Sequence, residues 1–181
     1  MPQTTFKEKD LHDYQRDFML MTEHKMFTLQ YVFDNLHTHE VKNVISLWTA
    51  LIDEEARQET VDVIRKRLLS ELPKLKNSRE QKEYDLETLA LVIDGCVDSL
   101  YVVMGLMNAI GVDIERYFME VHEANMAKGT PCDCNGYLSG CPKCKGSGRI
   151  VTRRADGKVM KPVGWKAPDI KLMIARELQG S

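Results

Sequence analysis

Two predicted helices of this chain carry carboxylates on the stripe that an amphipathic helix normally reserves for apolar side chains. In the first, steps of three and four residues join Trp48, Ile52, Glu55, Glu59 and Asp62. In the second, they join Leu91, Asp94, Asp98, Tyr101 and Gly105. A carboxylate on a core-facing stripe is costly unless it is paired, hydrogen-bonded or bound to a cation. Two such stripes that face each other in a helical bundle would form a hard-cation site with oxygen ligands, and there we expect the chemistry.

The periodicity of the first ~125 residues is helical throughout. It predicts helices over about 11–35 (with an internal break left open), 41–72, 84–109 and 113–128. Pro73 and Gly111 are stop signals for the second and third helices, Asp113 is a capping residue for the fourth, and 74–83 is expected to be a charged connector. With 43% hydrophobic residues and a formal net charge of -2 the chain is not disordered, and we expect an all-α fold.

The most apolar stretch, 89–110, contains Asp94 and Asp98 in its first half. Its uninterrupted part is too short to span a bilayer, so we expect a buried core helix. No hydrophobic stretch follows Met1, and a secretory signal is therefore not expected. These features favour a cytoplasmic protein without a membrane segment.

The composition changes at Gly129, where Gly, Pro, Cys and Lys become frequent. A β-hairpin is predicted over 149–160 around Asp156-Gly157, followed by a loop over 161–168 and a short helix over 169–178. We therefore divide the chain into a helical core (1–128), a cysteine-rich insertion (129–148) and a C-terminal part (149–181).

Four of the five cysteines lie close together in the sequence, at Cys132, Cys134, Cys141 and Cys144. Four thiolates on tight turns are the usual ligands of a structural Zn²⁺, and they leave no open position for catalysis. The second half of the cluster, from Cys141 to Gly148, resembles the CxxCxGxG knuckle of the DnaJ chaperone. The remaining Cys96 is expected to pack in a helical core.

The sequence Ile52-Asp53-Glu54-Glu55 through Glu59, followed by Asp94-Gly-Cys-Val-Asp98-Ser-Leu-Tyr101, resembles the MazG-like all-α nucleoside triphosphate pyrophosphohydrolases. That superfamily usually has EExxE on one helix and ExxD on the next. Two departures stand out, because Ala56 would take the place of the middle acid and the second acidic pair is spaced by four residues. The segment from Val121 to Lys128, and a tail that includes Gly164-Trp165-Lys166, resemble phage-type members.

The resemblance implies a fold, a reaction and a set of site residues. It implies a MazG-like bundle that hydrolyses a (deoxy)nucleoside triphosphate to the monophosphate and pyrophosphate, in the host cytoplasm if the gene is a phage's. It also implies a homodimer or homotetramer, with Mg²⁺ or Mn²⁺ at the active site. The expected metal ligands are Glu54, Glu55, Glu59, Asp94 and Asp98, with Asp62 as an alternative; Glu55 would orient the attacking water. The expected substrate contacts are Tyr101, Asn125, Lys128, Lys158, Lys161, Trp165 and Lys166.

Alternative interpretations stay open for the acids, the aromatics and the function. Glu54, Glu55 and Glu59 could instead form a solvated face paired with Arg57, or with Arg65 and Lys66. Trp48 is expected to pack in the core, with stacking on a base as its alternative, and Tyr101 could be an ordinary core aromatic. The rival function is a non-enzymatic module whose zinc knuckle and basic hairpin bind nucleic acid or a protein partner, although the overall charge makes nucleic acid the less expected partner.

Overall fold

The computed structural model of the protein describes residues 10–69, 77–137 and 139–180. Helices make up most of this described part, beside one two-stranded sheet. The predicted all-α class is therefore confirmed. The chain forms two compact units, Met1–Ile114 and Glu115–Ser181, and each is described by itself below.

The first unit is built from helices, several of which start at a polar cap. They are α1 (Leu11–Met21), α2 (Leu29–Asn35), α3 (His39–Ile52), π1 (Asp53–Val61, a π-helix), α4 (Asp62–Ile64), π2 (Arg65–Leu69, also a π-helix) and α5 (Ser78–Ala109). The side chains of Thr28 and Thr38 each accept a hydrogen bond from the backbone N–H three residues on, which starts α2 and α3. The break left open in 11–35 thus lies between Met21 and Leu29.

The prediction of a charged connector over 74–83 is wrong from Ser78 onward, because α5 begins there. The side-chain oxygen of Asn77 accepts hydrogen bonds from the backbone N–H groups of Arg79 and Glu80, both at 3.0 Å. This cap starts α5 six residues earlier than the apolar periodicity alone indicated. The predicted end of the preceding helix at Leu72 lies outside the described residues.

The core of the first unit joins α1, α3 and α5. Its buried members are Met19, Trp48, Val102 and Ala109, with Met26, Val44, Leu51, Ile52 and Leu106 packed against them. Two glycines on α5 allow this packing. A Cβ at Gly95 would lie 2.5 Å from the Thr60 hydroxyl of π1, and a Cβ at Gly105 would overlap the Trp48 ring. These glycines bring π1 and Trp48 directly onto the backbone of α5.

The opposite face of α5 is not covered within the described chain, contrary to the buried core helix expected for 89–110. The apolar side chains Leu86, Leu89, Ile93, Val97 and Leu100 are between 47% and 69% exposed. They recur at steps of three and four, so they form one continuous stripe. By length and composition alone α5 could span a membrane, but Asp94 interrupts it on an exposed position.

The second unit contains α6 (Ile114–Met126, whose first residue ends the first unit), β1 (Thr130–Pro131), β2 (Arg149–Ile150) and α7 (Ile170–Gly180). β1 and β2 pair antiparallel, so Ile150 pairs with Thr130 rather than within the predicted hairpin. The turn at Asp156-Gly157 does form, closed by a single bridge between Arg153 and Val159. The three-part domain division remains a prediction.

Candidate active site

The first acidic stripe lies on π1, where the backbone bonds over five residues instead of four. The N–H of Asp62 donates to the carbonyl of Arg57, and the Thr60 hydroxyl donates to the carbonyl of Glu55 at 2.8 Å. π-helical segments are rare and are found frequently at functional sites. In this wider turn, residues five apart stand one above the other, so Glu59 follows Glu54 by one turn.

Glu55 is the most constrained of the predicted metal ligands. Its Oε2 atom is buried and has no hydrogen-bond partner. The pKa of Glu55 is raised from the ordinary value of 4.5, first by burial and then by the charges of Glu59, Asp98, Glu54 and Asp94. The other four predicted acids therefore all lie close enough to act on Glu55; Glu55 and Asp98 are half-buried and the other three are exposed. An unpartnered carboxylate oxygen among like charges is a suitable ligand for a divalent cation.

Two of the bases that could have neutralised these acids are engaged elsewhere. Arg57 forms a two-point ion pair with Asp53 at 2.6 and 2.7 Å. Arg65 pairs with Asp62 at 3.5 Å, which leaves the Asp62 carboxylate less suited to a metal. Over the described ranges, no ion pair joins a basic side chain to any of the five predicted acids. Arg57 and Arg65 are therefore not available as partners in the interpretation of Glu54, Glu55 and Glu59 as a solvated, paired face.

A cavity of about 350 Å³ opens beside the acids. Its lining consists of Phe18, His24, Leu47, Trp48, Leu51, Glu55, Asp98, Tyr101 and Val102. Phe18 meets Tyr101 edge-on at 5.6 Å between ring centroids, and His24 lies 5.4 Å from Trp48. The Trp48 indole nitrogen is buried without a hydrogen-bond partner. The cavity thus offers aromatic walls and carboxylates to a ligand that has both a planar and a charged part.

Sequence reasoning missed two of the ring side chains that line this cavity, Phe18 and His24. Phe18 belongs to α1, and His24 follows it in the loop where the Thr22 hydroxyl lies 2.6 Å from His24 Nδ1. Neither residue has a spacing relation to the acidic stripes, since the tertiary packing of α1 on α5 brings them there. Trp48 and Tyr101, by contrast, lie on the predicted stripes and do reach the cavity.

The four clustered cysteines of the second unit converge as predicted. Their sulfur atoms all lie within 4.8 Å of one another, and the shortest separations are 3.3, 3.6 and 3.8 Å. Tetrahedral coordination with bonds of about 2.3 Å places sulfurs about 3.8 Å apart. The pKa of Cys144 is lowered to about 6, first by a hydrogen bond from Cys134 and also by the N–H groups of Gly148 and Gly146. The cluster can hold a metal ion. Cys96, expected in a core, is exposed on α5.

The predicted phosphate-contacting residues of the second unit also form a cluster. Lys128 Nζ donates to Asn125 Oδ1 at 2.6 Å and lies 5.6 Å from the Trp165 ring centroid, and Lys161 Nζ lies 4.2 Å from the same ring. The Trp165 indole is held by a 2.7 Å hydrogen bond to the carbonyl of Ala124. Lys158 and Lys166 are exposed nearby in the sequence but have no described contact with this group. Two lysines against one indole create a compact cationic surface.

The phosphoribosyl-ATP pyrophosphohydrolase family matches residues 18–125 of the chain, which is more than half of its 181 residues. This family is part of the MazG-like all-α superfamily, so the resemblance seen in the sequence is confirmed. The matched residues include both acidic stripes and all the cavity-lining residues, and they end before the cysteine cluster. No curated protein matches the chain.

We expect replacement of Glu55 by Gln to stabilise the metal-free protein, increasingly so as the pH rises. Because the pKa of Glu55 is raised in the folded chain, the folded state holds its proton more tightly and loses stability when the pH rises through that pKa. The melting temperatures of the two proteins, measured in chelator from about pH 4 to about pH 8, should converge at the acid end. Glu123→Gln, an exposed carboxylate on α6, is the control. A wild-type protein more stable than Glu55→Gln at high pH would contradict the expectation.

We expect one tightly held metal ion per chain at the cysteine cluster, lost on replacement of Cys141 by Ser. Removing one of four sulfur ligands leaves an incomplete coordination shell. Elemental analysis of purified protein measures the metal, with Cys96→Ser as the matched control outside the cluster. Equal metal content in the two variants would disprove the assignment.

Proposed function

The chain belongs to the phosphoribosyl-ATP pyrophosphohydrolase family, and on that premise we propose that it hydrolyses a nucleoside triphosphate to the monophosphate and pyrophosphate. Membership implies pyrophosphohydrolase activity on a nucleotide-like substrate. The observation that carries the finer proposal is the buried, unpartnered Oε2 of Glu55 at the mouth of an aromatic cavity. A carboxylate in that position can coordinate a cation, and the phosphate chain of a nucleotide can supply the remaining ligands of that cation.

The oxygen ligands suit Mg²⁺ or Mn²⁺, which prefer carboxylates and substrate phosphates. When bound, such an ion neutralises phosphate charge and activates water. We assign its ligands to Glu54, Glu55, Glu59, Asp94 and Asp98. The π-turn supports this assignment, because it absorbs the extra residue in Glu54-Glu55-x-x-x-Glu59 and presents the acids as EExxE does on an α-helix. Glu55 then takes the second position of the motif, and Ala56 no longer interrupts it.

The residues of the chain supply the remaining requirements of the reaction. A water oxygen bonds to the α-phosphorus while the α–β bridging bond breaks, and the bridging oxygen leaves with pyrophosphate. Glu55 orients that water and accepts its proton, a task for which its raised pKa is suited. Asn125 and Lys128, with Lys161 and Trp165 beside them, bind phosphate oxygens, and Lys158 and Lys166 add positive charge.

The aromatic cavity supports a nucleobase as the planar part of the substrate. Trp48, Tyr101, Phe18 and His24 provide its walls, and a volume of about 350 Å³ accommodates a base and part of its sugar. We propose a deoxynucleoside triphosphate as the substrate and adjustment of the nucleotide pool in the cytoplasm as the role. The ion at the cysteine cluster is Zn²⁺ in this proposal, because four thiolates favour it.

The exposed stripe on α5 supports a homo-oligomer. An apolar face that runs over several helical turns is typical of a protein interface. A bilayer would require the whole circumference of α5 to be apolar, whereas Asp94 and Asp98 lie on other faces of the same helix. A second copy of the chain presents the same stripe and can pair with it around a twofold axis.

Pyrophosphate release from a panel of ribo- and deoxynucleoside triphosphates with Mg²⁺ tests the enzymatic proposal. We expect Glu55→Gln and Asp98→Ala each to lower kcat/KM at least a hundredfold, in keeping with the loss of a catalytic base or a metal ligand. Asp53→Asn is the matched control, an acid on the same π-turn that faces Arg57 instead. Absence of release from every triphosphate would overturn the proposal and favour the nucleic-acid- or protein-binding module.

Ile93→Glu should convert the oligomer to monomer, because it places a charge in the middle of the stripe. Light scattering after size-exclusion chromatography measures the mass. Val163→Glu, at a fully exposed position in the second unit, should leave it unchanged. A wild-type protein that is monomeric at micromolar concentration would overturn this part of the proposal.

A further inference from the structure

Arg149, the first residue of β2, holds the carboxyl end of α6. Its Nη1 atom donates to the carbonyls of Met126 at 3.2 Å and of Gly129 at 2.9 Å. The Arg149 side chain packs directly on Gly129, where a Cβ would approach Arg149 Cβ at 3.0 Å. The last carbonyls of a helix lack intrahelical partners and carry the negative end of its dipole, so a guanidinium is a well-matched cap. Asn125 and Lys128 lie in the segment that this cap fixes.

Arg149 is in turn tied to the cysteine cluster by two short connections. The N–H of Cys132 donates to the carbonyl of Gly148 at 2.8 Å. The hydroxyl of Ser147 lies 2.7 Å from the carbonyl of Cys144 and 2.9 Å from that of Arg149. The first connection runs from Cys132 to Gly148, the neighbour of Arg149. The second runs from Cys144 through Ser147 to Arg149 itself. The order of the cluster is therefore transmitted to the cap over three residues at most.

The residues that the cap positions line a second cavity. It measures about 440 Å³, and its lining includes Asn125, Lys128, Arg149 and Arg153. Arg153 points its Nη1 to the carbonyl of Gly157 in its own turn, at 2.9 Å, so it does not hold α6. Arg149 is the cationic side chain of this cavity that bonds to the end of the helix.

We propose that a metal ion at the cysteine cluster, acting through Arg149, positions Asn125 and Lys128 for phosphate binding. Arg149 is a positioning residue in this scheme and does not itself react. The phosphate-binding part rests on the proposed function, whereas the bracing of α6 does not. The family match ends at Asn125, so Arg149 and the cysteine cluster lie outside the matched residues.

Hydrogen exchange of the peptide 123–129 tests the brace without any activity. Its amides include Ala127, Lys128 and Gly129, which bond to the carbonyls of Glu123, Asn125 and Met126. In the full chain loaded with Zn²⁺, Arg149→Gln should make these amides exchange about tenfold faster, the loss expected when a charged hydrogen bond is removed. Chelator treatment of the wild type should have the same effect, and Arg149→Lys should restore part of the protection.

Arg154→Gln is the matched control, because it removes the same charge from a side chain that pairs with Asp156 instead of α6. The peptide 114–122 reports that α6 itself stays folded. Unchanged exchange of 123–129 in Arg149→Gln or after chelation would overturn the brace, as would equal acceleration by Arg154→Gln.

Kinetics separate the brace from the proposed function. If the wild type releases pyrophosphate, Arg149→Gln should raise KM about tenfold with kcat nearly unchanged, the pattern of a lost binding contact. A fall in kcat at constant KM would overturn the positioning role. If no triphosphate is hydrolysed, the proposed function fails while hydrogen exchange still decides whether the metal braces α6.

Discussion

The close approach of π1 to α5 is the contact on which the rest of the site depends. It is possible because Gly95 presents no side chain to Thr60, whose hydroxyl lies 3.2 Å from that of Ser99. Ser99 also donates to the carbonyl of Gly95 at 2.6 Å, which completes a small polar contact between the two helices. A glycine inside a helix costs about 0.5–1 kcal/mol relative to alanine. That cost is small, and the close contact that it allows brings Glu55 next to Asp98.

This arrangement concentrates negative charge where the fold gains nothing from it. The Asp53–Arg57 pair shows that π1 can neutralise an acid locally, within one turn, where both side chains are about half exposed. Glu55 receives no such partner, although it is the more deeply placed of the two acids. A stable fold could replace Glu55 with an apolar residue at lower cost. The retained charge, together with aromatic walls on the same cavity, therefore fits ligand binding better than it fits folding.

The sequence predicted what depends on local pattern. The helical class, the acidic stripes and the convergence of four cysteines follow from spacing along the chain. Tyr101 was predicted as a substrate contact because it shares a stripe with the acids, and Trp48 lies in the core, as expected from the sequence, while it also lines the cavity. Three features depend on something else. The π-turn leaves no signature in an α-helical period, so the sequence pattern predicted an ordinary α-helix over Asp53–Val61. An apolar run such as Leu89 to Leu100 has the same pattern whether a core or a partner covers it. Phe18 and His24 reach the cavity only through tertiary packing.

The two candidate metal sites differ in chemistry, and that difference explains how one chain can carry both. Carboxylate oxygens select hard ions such as Mg²⁺, whereas four thiolates select Zn²⁺ and exclude hard ions. The acids lie in the first unit and within the family match, and the cysteines lie in the second unit and beyond it. An ion that binds well to one of these sites therefore binds poorly to the other. In the proposed scheme, the cysteine-rich segment adds its own ion to the hydrolase framework without drawing the catalytic ion away from Glu55, and that ion orders the residues that follow α6.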